Sequence, residues 1–536
     1  MSTRIRSHRP LIMGRNGAVG TNHPAATQVG LDVLRAGGNA FDATVAISLA
    51  LGVVEPHMSG LGGDGFYNFH HALSGANRVI NATGAAPASA NAERFLAPGI
   101  AVTGPLSASI PGKLAGLALL HAKFGTQSWA GLCAPAIALA HDGFAVTHHY
   151  RHFAQEHQAA LAADPRSRMT FLHDGAIPAL AALIRQPDLA RSLEEIAADG
   201  AESFYRGRLA SRFAAQMASV GAMVDAHDLA ACTAEEDAPI TISYRGHTIT
   251  QTPLNSTGFV FAQMMKIVER FPLASMAPDA RVHLLVEVKK LAFLDRERHG
   301  ADPRHLDAPI AEILSETYID ALVAQIDPDR AASRPITTPE KSSETTYFCV
   351  VDAAGNAVSA IQSINGAFGS GVTAGDTGIL LNNRMAYWHL APGHPNRLQP
   401  GKRVRHTMNA PMIFKDGMLW GVEGTPGADN QVQINLQVVT AMIDDDMDPQ
   451  MAVELPRWTS SQQGQGANWP HDGDAALTIE PGFGPAVLAA LERRGHQVKP
   501  VGPLEGPCSV QTIRIAENGV RMAGSDPRRD GWAGAY

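Results

Sequence analysis

Glu344-Thr345-Thr346-Tyr347-Phe348-Cys349-Val350-Val351-Asp352 is followed by Ala353-Ala354-Gly355-Asn356 and then by Ala357-Val358-Ser359-Ala360-Ile361-Gln362-Ser363-Ile364-Asn365. Two runs rich in β-branched and apolar residues flank a short Asp/Gly/Asn turn, the pattern of a β-hairpin. If Asp352 faces Asn356, each step outward on one strand is matched on the other, and Thr345 comes to lie opposite Ser363. Two hydroxyls then meet at the open end of the hairpin, with the Asn365 amide close by. Upstream, the polar run Thr337 to Glu344 reads as an exposed loop, where a chain can be cut. Cleavage between Glu344 and Thr345 would leave the threonine with an α-amino group beside its own hydroxyl. Such an amine has a pKa of about 7.7 to 8.0 in short peptides, so part of it is neutral near pH 7 and can take the hydroxyl proton. One residue would supply both nucleophile and base.

With Gly355-Asn356-Ala357-Val358 and Gly375-Asp376-Thr377-Gly378-Ile379-Leu380-Leu381-Asn382-Asn383, this segment resembles the start of the small subunit in the γ-glutamyltransferase family of N-terminal-nucleophile hydrolases. Further landmarks carry the resemblance over nearly the whole chain: Ser59-Gly60-Leu61-Gly62-Gly63, Pro111-Gly112, Asp142-Gly143-Phe144, Phe204-Tyr205-Arg206-Gly207 and Asp228-Leu229. It implies self-cleavage before Thr345 into a large subunit, 1–344, and a small subunit, 345–536, sharing one core. The implied fold is α/β (α+β), a four-layer αββα sandwich. The implied assembly is a heterodimer of the chain's own two fragments, with a dimer of heterodimers as the larger form, acting on a small-molecule amide without a metal or other cofactor.

Composition sets the bounds. Hydrophobic residues make up 45% and charged residues 18%, the profile of an ordinary globular protein. A net charge of -8 offers no basic surface for nucleic acid as a whole-chain property. Cys133, Cys232, Cys349 and Cys508 form no C-x-x-C pair, so neither a zinc cage nor a disulfide framework is expected. Residues Met1 to Pro10 carry arginines but no apolar core of signal-peptide length, and the longest apolar stretch, Ala43 to Val54, is too short to span a bilayer. The expectation is a cytoplasmic protein with no membrane partner. His70-His71 and His148-His149 with His152 lack ligand spacing and read as partly exposed histidines, not metal ligands.

The glycine loop from Ser59 to Phe66 lacks a following Gly-Lys-Ser/Thr and reads as a tight loop feeding a core strand, with Asn39 capping the buried helix before it. Asp164 to Ala176 shows no apolar period and reads as loop. Ser256, Thr257 and His247 suggest a serine hydrolase, but the Gly-x-Ser-x-Gly elbow is missing, and a helix cap before Phe259 explains the hydroxyls.

Gly424-Thr425-Pro426-Gly427-Ala428-Asp429 is the best source of oxyanion donors, since small residues let backbone N–H groups approach a substrate oxygen. By resemblance the donors are Gly427 and Ala428, the latter provided its φ is not strongly positive, and Ser363 and Asn365 orient the threonine and contact substrate. The substrate-binding positions depart from the transferases. Thr83 stands where they carry arginine, Arg384 and Tyr387 replace the glutamine and aspartate that hold a glutamyl ammonium, and His406-Thr407 replaces a serine pair. A cation at Arg384 disfavours that ammonium. The chain therefore resembles the hydrolase branch, with oxamate the leading substrate. The alternatives are a γ-glutamyltransferase or glutathione hydrolase, a cephalosporin acylase-like hydrolase, and an inactive ligand-binding homologue.

Overall fold

The computed structural model describes residues 7–336 and 345–536. The proposed cleavage loop and Glu344 lie outside the described residues. Two antiparallel sheets of seven strands dominate what is described. The first runs in the order Trp532–Ala535, Ala18–Thr21, Thr346–Val351, Ala357–Ser363, Asp64–His71, Ala76–Ala82, Glu235–Asp237. The second runs Ile12–Gly14, Arg521–Ser525, Gln511–Ile515, Met418–Gly424, Met412–Lys415, His247–Gln251, Ile240–Tyr244.

Side-chain alternation explains why the sheets stack. Successive residues of a strand project to opposite faces. Tyr347, Cys349, Val351 and Ile361 therefore meet Met412, Val422 and Ile513 of the other sheet in one apolar layer. Phe348, Val350, Val358 and Ala360 point the other way and pack with Leu49, Val53 and Leu117. Those last three come from Ala40–Val54 and Lys113–Phe124, which with Pro24–Arg35 cover the outer face of the first sheet, Trp129–Asp142 packing behind Ala40–Val54. Gly258–Val268 and Gln431–Ile443 cover the second, with Pro278–His299 packed behind Gly258–Val268. The result is the αββα sandwich that the resemblance implied. Both sheets contain strands from before and from after residues 337–344.

Ala40–Val54 is buried along its whole length, as expected of a helix that is apolar all round. Its start is fixed by a capping box in which the Asn39 side chain accepts from Phe41 and Asp42 N–H while the Asp42 carboxylate accepts from Asn39 N–H. The same carboxylate accepts from Thr126 N–H at 2.9 Å and Gln127 N–H at 3.2 Å, pinning a neighbouring loop.

One expectation fails here. Within Asp164 to Ala176, Pro165–Phe171 is a helix, capped by the Asp164 side chain accepting from Ser167 N–H at 2.7 Å, with Pro165 at its first turn. Ser167 and Phe171, one turn apart, supply its buried face, too short a run to show as a period. No helix among the described residues is long and apolar enough to cross a membrane.

Asp42→Ala should leave the caps of this buried helix unmet and strand loop N–H groups. The apparent unfolding free energy should fall by about 2 kcal/mol or more, read as a lower thermal midpoint by differential scanning fluorimetry. Asp42→Asn should recover part of the loss.

Candidate active site

Register builds the site. The hairpin pairs Thr346 with Gln362, so one step outward sets Thr345 against Ser363, and the Thr345 hydroxyl donates to Ser363 Oγ at 3.3 Å. Ser363 is in turn paired with Asp64 on the next strand. Gly65 pairs with Ala82 beyond it, which brings Thr83 beside Asp64. Thr345, Ser363, Asp64 and Thr83 thus form a row across the ends of four neighbouring strands, about 4.8 Å apart per step. Opposed residues share a face, and theirs is the inter-sheet face, since Tyr347, Ile361, Phe66 and Val79 on the same sides pack there. All four are buried.

At the threonine end, Ser363 Oγ accepts from Asn365 N–H at 2.8 Å. Asn365 takes a left-handed φ of 77°, and its amide donates to Asn383 C=O at 3.0 Å and Asn468 Oδ1 at 2.8 Å. Thr346 points to the helix face and donates to Glu55 Oε2 at 2.6 Å. Burial pushes the Glu55 carboxyl up to about 7, against the opposing pull of that hydrogen bond.

Around Asp64 the remaining expected residues converge. Its Oδ1 accepts from Gly84 N–H at 2.8 Å, while Oδ2 lies 3.4 Å from Arg384 Nε and 3.8 Å from His406 Nε2. Burial raises the Asp64 carboxyl to about 6, with Arg384 pulling the other way. Burial and the Arg384 and Arg403 charges hold His406 well below its usual range, so the ring is neutral. Arg384 is buried, packs its guanidinium 4.7 Å from the Tyr387 ring centroid, and reaches Asn365 Oδ1 at 3.4 Å. Thr407 and Tyr387 pair their hydroxyls at 3.2 Å. Thr83 donates to Asn81 Oδ1 at 2.7 Å. Arg384 is therefore not a lone cation: a carboxylate already faces it. Asp64 escaped attention in the sequence, although a charge opening a buried strand after two glycines is the signal that marks it. Asn468 gave no signal, because it reaches Asn365 from a loop 103 residues away.

The glycine-rich loop closes the threonine end from the second sheet. Gly424 pairs with Gln511, whose amide lies 3.0 Å from that of Asn22, which in turn sits 3.3 Å from the Thr346 hydroxyl. Gly424 also abuts the Tyr347 ring, where a Cβ would come within 2.3 Å. Three residues on, the N–H groups of Gly427 and Ala428 meet no acceptor among the described residues. Gly427 has a φ of 121° and Ala428 one of 49°. The proviso for Ala428 is thus not met: its backbone is left-handed, which turns its N–H relative to an ordinary extended residue.

Ser256 and Thr257 act otherwise than as a simple side-chain cap. Thr257 occupies the cap position without a side-chain cap bond, its hydroxyl donating instead to Thr407 C=O at 3.3 Å, while the Ser256 hydroxyl accepts from Gly258 N–H at 3.1 Å and donates to Met408 C=O at 2.5 Å. Two other groups have the residue types of metal sites, His283/Glu287/His496 and Glu297/His389/His394. In the first, His283 bonds His496 and Asp327 C=O, both at 2.8 Å, and Glu287 holds Lys290 at 2.7 Å. In the second, His389 and His394 stack 3.6 Å apart at 10°, so their in-plane lone pairs cannot converge on one ion. Both are read as structural.

Residues 26–536 match the family profile described as Gamma-glutamyltranspeptidase. The chain is 35% identical to the Glutathione hydrolase-like YwrD proenzyme of Bacillus subtilis (strain 168), covering 97% of this chain and 99% of that protein. It is 35% identical to the Oxamate amidohydrolase proenzyme of Klebsiella pneumoniae, covering 96% and 97%. Among solved structures, cephalosporin acylase from Bacillus halodurans superposes with a TM-score of 0.90 at 32% identity, covering 100% of this chain and 98% of that one.

Ser363→Ala should remove the partner of the Thr345 hydroxyl and the acceptor of Asn365 N–H while leaving the strand intact. Amide turnover should fall by about ten- to a hundredfold, measured as kcat/KM on the best small amide, with an unchanged thermal midpoint.

Proposed function

Because the chain belongs to the γ-glutamyltranspeptidase family and is an N-terminal-nucleophile enzyme, we propose that it cuts itself before Thr345. It then hydrolyses a small carboxylate-bearing amide, with oxamate the leading candidate. The observation that carries this reading is the row that sets the Thr345 and Ser363 hydroxyls beside Asp64 and the Arg384 guanidinium.

In the precursor, Thr345 Oγ attacks the Glu344 carbonyl carbon. The peptide C–N bond breaks, nitrogen takes the proton, and an ester remains. Water hydrolyses the ester to a Glu344 carboxylate and restores the Thr345 hydroxyl beside a new α-amine. In turnover, that amine takes the hydroxyl proton as Oγ attacks the substrate amide. The negative oxygen is held by the Gly427 N–H group, the left-handed Ala428 having failed the condition set for it, and the ammonium returns its proton to the leaving amine. Water, deprotonated by the same amine, then releases the acid from Thr345. Ser363 holds the hydroxyl, Asn365 fixes Ser363 and Arg384, and Arg384 grips the substrate carboxylate, with Thr83, His406 and Thr407 shaping the pocket. The product is a heterodimer of 1–344 and 345–536. No disulfide joins Cys133, Cys232, Cys349 and Cys508 among the described residues, which supports a reducing, cytoplasmic setting.

A second reading has support from Asp64. A carboxylate beside Arg384 offers a partner for an ammonium, so an α-amino-acid acyl group of the glutamyl kind could bridge the two charges.

Freshly purified protein should resolve on a denaturing gel into two fragments, and sequencing of the smaller should begin at Thr345. Thr345→Ala should stay one chain, and a different first residue would remove the nucleophile assignment. Arg384→Lys and Arg384→Ala should both process normally yet lose about ten- to a hundredfold in kcat/KM on carboxylate-bearing amides. Unchanged kinetics would reject the arginine's role, and robust γ-glutamyl transfer by the wild type would favour the second reading.

A further inference from the structure

We propose that Asp64 is a specificity-determining residue that takes up a proton when the acyl pocket receives a substrate carboxylate. The inference deepens the reading of Arg384 given above and rests on it.

The geometry sets the problem. Arg384 and Asp64 are both buried, and Nε and Oδ2 lie 3.4 Å apart. Oδ2, Nε and Nη2 have no hydrogen-bond partner among the described residues, so the pair faces itself and leaves donors and an acceptor unspent. As a pair it is neutral. A substrate carboxylate gripped by Arg384 would bring a second anion against the first, away from water, where like charges strongly disfavour each other. One proton on Asp64 Oδ2 removes the conflict. It restores the pocket's charge balance and turns an opposing acceptor into a donor for the incoming carboxylate. No covalent bond changes, and the proton comes from solvent.

In the processed protein the Thr345 α-amine stands in the same row and titrates at about 7.7 to 8.0 in short peptides, so the Asp64→Asn variant below must separate its proton from that of Asp64. His406 stays neutral, held below its usual range by burial. Tyr67, Tyr205 and Cys232, which all sense the Asp64 charge, are pushed upward by burial, the thiol to about 12. Lys113 follows Gly112 and donates its N–H to Gly63 C=O, but its ammonium turns to the helix face and donates to Ser48 C=O at 3.3 Å. Glu55 also lies on that face, beneath Thr346. Burial lowers Lys113 to about 7 and raises Glu55 to a similar value, so the test must separate them from Asp64. Burial raises the Asp64 carboxyl to about 6, within reach of protonation when a second anion arrives.

Pyruvate is the probe, since it sets a carbonyl beside a carboxylate as oxamate does but has no amide to cleave. Its binding to the processed wild type is measured by calorimetry at pH 6 to 8, in phosphate and in Tris, whose ionisation heats differ. The expected result is uptake of about one proton per pyruvate at pH 7.5, with affinity falling by about tenfold per pH unit between pH 7 and 8. Asp64→Asn keeps the Oδ1 acceptor for Gly84 N–H. It should abolish the uptake and tighten binding at pH 8 by about ten- to a hundredfold. Binding without proton uptake, uptake that persists in Asp64→Asn, or weaker binding in that variant would each overturn the proposal. Absence of uptake in the wild type would overturn the proposal even if the variant does not fold. Hydrolysis of carboxylate-bearing amides without the linkage would defeat this inference alone. Linked pyruvate binding with no amide turnover would defeat the proposed reaction and leave the linkage in place.

Discussion

Antiparallel register is the constraint on which the rest depends. A strand has two faces and a period of two, so a slip of one residue would send every side chain of the hairpin to the wrong side. The turn at Asp352–Asn356, closed by Asp352 N–H donating to Asn356 C=O at 3.0 Å, fixes that parity. Once it is fixed, Thr345 points into the gap between the sheets with Ser363 opposite it, and the register of the next strand sets Asp64 beside Ser363. The Thr346 side chain is sent to the helices by the same rule. Chemistry on one face and anchoring on the other follow from a single turn.

This is also why the hairpin was legible in the sequence while the Arg384–Asp64 pair was not. Thr345, Ser363 and Asn365 lie within one local pattern whose geometry follows from counting residues. The capped helix after Asn39 and the glycine loop feeding Asp64–His71 were likewise set by local signals. Arg384 was visible as a cation at an unusual place. Its neighbour was not, because Asp64 arrives from a strand more than 300 residues earlier and no local pattern links them. The short helix at Pro165–Phe171 was hidden for a different reason. Two buried residues are too few to reveal a period, and its cap and proline are also what a loop would contain.

Buried polar groups concentrate around the row. On the inter-sheet side Arg384 reaches Asp64 and Asn365, and His406 lies near Asp64; on the helix side Ser48 bonds Gln362 and Lys113, while Glu55 holds Thr346. Water cannot relieve such groups, so each must be met by another or be left costly. The apolar layers on either side make this affordable, since they hold the strand ends rigid without needing those ends to be apolar. The site is a polar seam along the edge of an otherwise dry sandwich.

The interleaving of strands has a consequence for the life of the molecule. Thr346–Val351 is clamped between Ala18–Thr21 and Ala357–Ser363, and Ile12–Gly14 adds to a sheet built mostly from the far end of the chain. A chain cut before Thr345 would therefore keep every strand in place while losing the tether that brought the strands together. Assembly of the native sandwich is a one-body event before the cut and a two-body event after it, so recovery from unfolding becomes dependent on concentration. The sandwich would then persist because it is slow to open, not because it can readily be remade.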